Sequence, residues 1–325
     1  MVTAVPDYFL GCDWGTSTLR LRLLRSEDAS IVSELKTDVG VAKIAGGAPL
    51  ETRAEAFRAE LAKAVEDLGR RTTFPSVRLP VIVSGMASAS IGWKELPYAS
   101  LPFTLKGSSA VLELIEGELS KKIGPVWLCS GVRDDADVMR GEETEVLGIA
   151  ALTPNLFREP ATLVLPGTHS KHLTVQDGAV VSFRTYMTGE LYDVMSTASI
   201  LRHSVAGATG APRAEAFAEG VALAQREHPF HLLFRVRAMQ LLQGREPEES
   251  AEFLSGLLIG SELRDCRTRV GEGHQVLLYA PGPLGERYRT AGALLNWSEL
   301  RLLSFSLPPV VYGQRALLDQ VKEMC

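Results

Sequence analysis

The chain has 325 residues, of which 46% are hydrophobic and 22% charged, with a formal net charge of −5. That is enough chain for two domains of ordinary globular composition, and it gives no electrostatic case for nucleic acid or an anionic membrane as partner. Four cysteines (Cys12, Cys129, Cys266, Cys325) lie far apart with no CxxC pair, so neither a zinc site nor a disulfide framework is expected. The opening "MVTAVPDYFLGCDWG" lacks a signal peptide's basic region and apolar core, and no window approaches a membrane span. A soluble, cytoplasmic protein is the expectation.

In chain order, "YFLGCD" (Tyr8–Asp13) is a short apolar strand ending at the turn "WGTS". From Thr18 the chain alternates, with Leu19, Leu21 and Leu23 on one face and Arg20 and Arg22 on the other, which is the period of a half-buried strand. "SEDAS" turns the chain into a third strand, Ile31–Leu35, completing an antiparallel meander. Glu51–Gly69 has helical periodicity and ends in glycine. "RLPVIVSGMA" reads as a buried strand, "SSAVLELIEGELSKK" as a helix, "PVWLCSGV" as a strand and Gly141–Leu152 as a helix.

The pattern then restarts. Ala161–Gly167 is an apolar strand entering the turn "GTHS", "KHLTV" continues, "QDG" turns, and "AVVSFRTYM" is the third strand. The helices "GELYDVMSTASILRH", "AEAFAEGVALAQREH", "FHLLFRVRAMQLLQG" and "ESAEFLSGLLIGSELRDC" follow. A buried strand, His274–Gly282, then leads into a last helix–strand–helix. With Gly15 placed on Gly167, Gly-Thr-Ser-Thr aligns with Gly-Thr-His-Ser, so two halves open alike and an internal duplication is expected. The expected lobes are residues 1–152 and 153–325, α/β layers with ligands in an interlobe cleft. The last helix, "PPVVYGQRALLDQVKEM", is a candidate to cross back onto the first lobe, and the apolar helices of the second half could support a homodimer.

A tight turn rich in glycine and hydroxyls exposes backbone N–H groups around a small concavity that suits phosphate oxygens. The two turns differ: Asp13 stands two residues before Gly15, whereas Leu165 holds the matching place. One carboxylate suits one Mg²⁺, which keeps most of its waters and takes one or two protein carboxylates plus phosphate oxygens. The segment Val83–Phe103, "VSGMASASIGWKELPYASLPF", mixes serines, Trp93, Glu95 and Tyr98 in a way that fits a small polyol. Its candidate substrate contacts are Ser84, Met86, Ser88, Ser90, Trp93, Glu95 and Tyr98. "RDDADVMRGEETEVLG" (Arg133–Gly148) carries six carboxylates before the second half begins. A phosphoryl acceptor needs such a group to take its proton, although acids at a helix start also serve the dipole.

The two hairpins and the later "YAPGPLGERY" resemble the actin, hexokinase and Hsp70 superfold. The resemblance implies that Asp13 orders the Mg²⁺ water shell. It implies phosphate contacts from Gly15, Thr16 and Ser17 and from Gly167, Thr168, His169 and Ser170, with Gly282 and Leu284 near adenosine. Together, "DWGTSTLRLRL", "SGMASASIGWKELPY", "VMRGEETEVLG", "LPGTHSKHLTVQDG" and "YMTGELYDVMSTASIL" resemble the 2-dehydro-3-deoxygalactonokinase family in the same order through most of the chain. That likeness implies ATP-dependent phosphorylation of 2-dehydro-3-deoxy-D-galactonate at C6, with ATP and Mg²⁺ as cofactors and a 2-keto-3-deoxy sugar acid as partner. Glu143 is then the first choice of base, with Glu142 and Asp137 as substitutes. The substrate carboxylate would take donors from Ser88, Ser90 and Trp93, or from Arg133.

His169 and His172 lack the further ligands a metal site needs, and His169 is better read as a phosphate donor. Glu190 either reaches the cleft or caps the helix after it; Met187, Met195, Tyr192 and Cys12 read as packing. Rival readings are another sugar kinase of this fold, a polyphosphate phosphatase, and a catalytically silent nucleotide-binding sugar sensor. The tryptophan-bearing segment disfavours the phosphatase, which would want basic residues there. Asp13 with two intact turns disfavours the sensor.

Overall fold

The computed structural model describes residues 6–72, 78–210, 212–270 and 273–324. Residues 1–5 and Cys325, on which the readings of the chain's start and of the fourth cysteine rest, lie outside them. The chain forms two compact units. The first runs through Glu159 and also takes residues 176–182 and 305–325; the second comprises 160–175 and 183–304.

The first unit is built on the strands β1 (Tyr8–Trp14), β2 (Leu19–Arg25) and β3 (Ile31–Thr37). The helices α1 (Val41–Gly47) and α2 (Leu50–Gly69) follow, then β4 (Val81–Gly85). Three short strands come next, β5 (Ala99–Ser100), β6 (Phe103–Thr104) and β7 (Leu112–Ile115). The helix α3 (Glu118–Ile123) precedes β8 (Val126–Cys129), β9 (Val132–Arg133), β10 (Val138–Met139) and α4 (Glu142–Leu152). The main sheet has the order β3-β2-β1-β4-β8-β7. The β1–β2–β3 meander is antiparallel, and β1, β4 and β8 run parallel. A small second sheet has the order β10-β9-β5. Leu19, Leu21 and Leu23 enter the core and meet Phe57, Leu61 and Leu68 of α2, so the period-two face of β2 packs on the helical face opposite it.

The helix expected over "SSAVLELIEGELSKK" is instead β7 followed by α3. Gly117, at φ 129°, breaks the run where only glycine is comfortable, and Leu112–Ile115 pairs antiparallel with β8.

The second unit repeats the plan with β11 (Ala161–Leu165), β12 (Ser170–Gln176) and β13 (Ala179–Tyr186). The helices α5 (Thr188–Thr197), α6 (Arg202–Val205), α7 (Ala214–Ala224), α8 (Pro229–Gln243) and α9 (Pro247–Val270) follow. β14 (Gln275–Leu278), α10 (Pro283–Leu294) and β15 (Leu300–Leu302) end it. Its strands run β13-β12-β11-β14-β15, with β11, β14 and β15 parallel. These five strands repeat the order β3-β2-β1-β4-β8 of the first sheet, the duplication expected from the sequence. The single helix expected over Gly189–His203 is α5 and α6, because the Ser199 hydroxyl bonds back to the Met195 carbonyl and accepts the Leu201 N–H.

The last helix, α11 (Pro309–Met324), belongs to the first unit and packs against α4, β1 and β4. Among the described residues no helix is long and apolar enough to cross a membrane.

Candidate active site

The first turn joins β1 to β2. Gly15 N–H donates to the Thr18 carbonyl at 2.9 Å, and the Gly15 and Thr16 carbonyls accept from Val41 and Ala42 at the start of α1. A Cβ on Gly40 would lie 2.3 Å from the Thr16 carbonyl, so the helix seats on the turn only through a glycine. Thr16 and Ser17 are left exposed at the tip. Asp13 is half-buried just before them, with one long contact of 3.4 Å to Arg20.

The start of α4 lies beside the ends of β1 and β4. A Cβ on Gly141 would come within 3.5 Å of Gly85, and Gly85 pairs with Trp14. Four carboxylates gather here. Glu143 has no exposed surface; its Oε2 accepts the Gly141 N–H at 2.6 Å and its Oε1 the Thr144 hydroxyl at 3.0 Å. Glu142 accepts the Arg140 N–H at 2.9 Å. Glu145 is half-buried, and its side chain makes no hydrogen bond or ion pair among the described residues. Burial, then the Glu142 charge, pushes the Glu143 carboxyl up to about 7. Burial, then Glu142, Asp13 and Glu143, pushes Glu145 up to about 8. Excess negative charge focused on Asp13 and Glu145 is what a hydrated divalent cation neutralises, so the donor set fits Mg²⁺. The expected base Glu143 is thus walled in and occupied, and its place is to brace the turn into α4. Asp137 sits at the tip of the β9–β10 hairpin, where its Oδ1 accepts the Val138 N–H at 2.7 Å.

Several of the substrate contacts expected in Val83–Phe103 are engaged inside the first unit instead. Ser84 is buried and accepts from Gln314 of α11 at 3.0 Å. Ser88 is buried and donates to the Cys129 carbonyl at 2.6 Å. Trp93 is core: it stacks on Phe57 at 6.3 Å and meets Trp14 edge-on. None of the three offers its polar or aromatic face to a sugar. Ser90 and Glu95 are exposed, and Met86 and Tyr98 are half-buried. Tyr98 lies under the Arg140 guanidinium, 4.3 Å from ring centroid to Cζ.

In the second unit the turn Gly167–Ser170 joins β11 to β12, and α5 closes on it. A Cβ on Gly189 would lie 2.5 Å from the Gly167 carbonyl, and the Glu190 N–H donates to the Thr168 carbonyl at 3.0 Å. Thr168 and His169 are exposed; Glu190, read as either reaching the substrate or capping the following helix, lies at this turn, 2.5 Å from His169 Nε2. Ser170 is fully buried, so it anchors the turn rather than touching phosphate.

Beneath the turn lies a buried network centred on Glu262 of α9. Glu262 Oε2 accepts from Tyr288 at 2.7 Å and from Thr188, and Oε1 meets His172 Nε2 at 2.8 Å. Arg269, which only donates, reaches His172 Nδ1 at 3.3 Å, so Nε2 carries the proton given to Glu262. Tyr288 donates to Glu262 and therefore accepts the Ser170 hydroxyl at 3.1 Å. The wiring runs from α9 to the turn without a break.

Against the same turn is a cavity of about 310 Å³, lined among others by Gly167, Gly189, Tyr192, Ile259, Leu284 and Arg287. Arg287 is held flat by a two-pronged pair with Glu252 at 3.0 and 2.8 Å and by Ser255 at 3.1 Å. Leu284 lines this cavity, whereas Gly282, at φ 66°, is the turn that starts α10.

The family model for 2-keto-3-deoxy-galactonokinase matches residues 13–303. The chain belongs to this family. The 2-dehydro-3-deoxygalactonokinase of Escherichia coli (strain K12) is 32% identical over 87% of this chain and 88% of its own length. A Rhizobium meliloti (strain 1021) protein named "Probable 2-dehydro-3-deoxygalactonokinase DgoK1" is 36% identical over 90% of each chain. The crystal structure of a "putative 2-dehydro-3-deoxygalactonokinase protein from Sinorhizobium meliloti" superposes with a TM-score of 0.78 at 30% identity, covering 98% of this chain and 99% of that one.

This 2-keto-3-deoxy-galactonokinase family member is accordingly a kinase acting on a small sugar acid. Three residues beside these turns and the start of α4 carry no role in the sequence reading. Glu145 lies in the acidic run, but only the turn of α4 separates it from Glu143. Glu262 carried a signal: it is a carboxylate on the apolar face shared by Ile259, Leu263 and Cys266, so it demands buried partners. Arg140 stands inside "VMRGEETEVLG", among acids whose charge dominates the run.

Proposed function

We propose that the enzyme transfers the γ-phosphoryl group of ATP to the C6 hydroxyl of 2-dehydro-3-deoxy-D-galactonate, giving 2-dehydro-3-deoxy-6-phosphogalactonate. The observation that carries this reading is the meeting of Asp13 with the α4 carboxylates beside an exposed glycine–hydroxyl turn, in a chain of this family. The second unit supports it with a cavity beside its own turn, where Arg287 presents a flat guanidinium to an adenine ring. Gly167, Thr168 and His169 would meet phosphates there, as Gly15, Thr16 and Ser17 would in the first unit.

Asp13 would hold Mg²⁺, through its water shell or directly, with Glu145 next to it. When bound, the ion offsets charge on the β- and γ-phosphates. Glu145 takes the proton of the acceptor hydroxyl, because it alone of the α4 acids placed here has no hydrogen-bonded commitment. Glu143 keeps the turn rigid. Exclusion of water from the loaded site prevents idle ATP hydrolysis. We place the enzyme in the cytoplasm, where ATP is supplied. The exposed Phe230, Phe234 and Leu242 of α8 are where a homodimer would form.

The test is ADP release by the purified enzyme against a panel of 2-keto-3-deoxy acids, with the product's phosphate position read by NMR. A 6-phosphorylated galacto acid is the expected product. Free phosphate without sugar phosphate would instead mark a phosphatase, and nucleotide binding without turnover a sensor.

A further inference from the structure

A sugar acid differs from a sugar by one carboxylate, and of its four candidate donors three are spent or misplaced, leaving only the neutral, exposed Ser90 hydroxyl. Ser88 donates inward, Trp93 is buried in the core, and Arg133 is exposed on β9. We propose that Arg140 is the specificity-determining residue that binds the C1 carboxylate of the 2-keto-3-deoxy acid. The inference rests on the substrate class proposed above.

The small sheet exists to place this side chain. Ala99 of β5 and Met139 of β10 both pair with Val132 of β9, from opposite sides. Tyr98 and Arg140, each one residue from those partners, are thereby brought together. The guanidinium Cζ sits 4.3 Å from the Tyr98 ring centroid, and Nη1 donates to Ser88 Oγ at 2.5 Å. Since the Ser88 proton goes to Cys129, its oxygen can only accept from the arginine. Gly131 makes room, because a Cβ there would lie 3.0 Å from the Tyr98 ring and 3.1 Å from Arg140 Cβ.

What this support lacks is a counter-charge. Among the described residues Arg140 makes no ion pair with any carboxylate of the chain, although acids crowd the next turn. A half-buried guanidinium held on two sides, with its remaining N–H donors uncommitted, is a preset fork for a carboxylate. Its position along the chain fits the substrate's length. An extended six-carbon acid separates its carboxylate from its terminal hydroxyl by about 6–7 Å. The residue holding one end should therefore flank the acids that serve the other, and one glycine separates Arg140 from α4.

The test uses the whole enzyme with Arg140→Met and Arg140→Lys, varying the sugar acid and ATP separately and comparing the acid with its methyl ester. A charge-assisted bidentate contact is worth about 100-fold in binding. For Arg140→Met we expect KM for the acid to rise by about that factor, KM for ATP to stay within about twofold, and the preference for acid over ester to vanish. Arg140→Lys keeps the charge without the fork and should retain part of the preference; it also carries the test if the methionine variant fails to fold. A raised KM for ATP with acid binding intact would give Arg140 to the phosphates and overturn the inference, as would an unchanged acid-to-ester ratio. If the wild type phosphorylates no 2-keto-3-deoxy acid at all, the substrate reading falls instead.

Discussion

Glu143 and Glu145 stand two positions apart on α4 and do opposite things with the same functional group. The first is locked by Gly141 and Thr144; the second has no side-chain partner among the described residues and feels the Asp13 charge. Both carboxyls titrate higher folded than unfolded, so the folded state binds their protons more tightly. Their contribution to stability is complete below about pH 4.5 and is lost as pH rises toward about 7 for Glu143 and about 8 for Glu145. The melting temperature of the nucleotide-free, metal-free enzyme should therefore fall between pH 5 and pH 8. Glu145→Gln, which cannot ionise, should flatten that fall and recover on the order of 3 kcal/mol at pH 8, while turnover drops by about 10²–10⁴-fold. An unchanged melting profile together with normal turnover would remove Glu145 from both roles. The acidic run was legible as a site, but not its inner and outer members. Which glutamate of a helix start is walled in depends on Thr144, Gly141 and the packing of α11, none of which spacing reports. Trp93 was misread for a related reason: composition cannot tell an aromatic that covers a sugar from one that completes a core with Trp14 and Phe57.

At the scale of elements the duplicated elbows were the clearest part of the sequence, because period-two strands flanking a Gly-Thr turn occur twice in the same order. What joins each elbow to its helix was not visible. Gly189 is written in the sequence like any other glycine, yet α5 approaches the Gly167 carbonyl only because no Cβ intervenes. Gly189→Ala should push the turn away and raise KM for ATP by about tenfold, a cost of roughly 1–2 kcal/mol, leaving the sugar-acid KM unchanged. Glu262→Gln removes the charge that Tyr288, Thr188 and His172 share in a buried site. Breaking such a network costs about 3 kcal/mol, which should lower the melting temperature by about 6–12 °C. Tyr288→Phe, keeping the shape but losing the link to Ser170, should cost less stability and still weaken ATP binding. If ATP affinity survived both substitutions, the network would be core packing without a role in holding the turn. The misread stretch at Ser108–Lys122 has a plain cause: "AVLELIEGEL" satisfies helical spacing up to Gly117, and pairing with β8 outweighs that local preference.

Across the whole molecule, the segment that ends the chain completes the unit that begins it. α11 lays Val311, Leu317, Leu318 and Val321 into the first unit, with Gln314 buried beside Ser84. Its contact with α4 is close enough that a Cβ on Gly148 would lie 1.7 Å from the Pro309 carbonyl, and one on Gly313 1.8 Å from the Thr144 carbonyl. Burying four such apolar side chains is worth about 6–12 kcal/mol in total, which is of the order of a whole domain's stability of roughly 5–15 kcal/mol. A first unit without α11 should then have no stable fold, whatever the quality of its own sheet. Residues 1–159 expressed alone should show no cooperative thermal transition, whereas the same fragment joined to residues 305–325 by a flexible linker should regain one. Because α4 carries the proposed base Glu145 and α11 packs against α4, Gly313→Val in the full chain should depress turnover beyond what its loss of stability explains. A cooperative transition from residues 1–159 alone would show that α11 merely covers a unit already folded, and the dependence of α4 on the chain's end would be withdrawn.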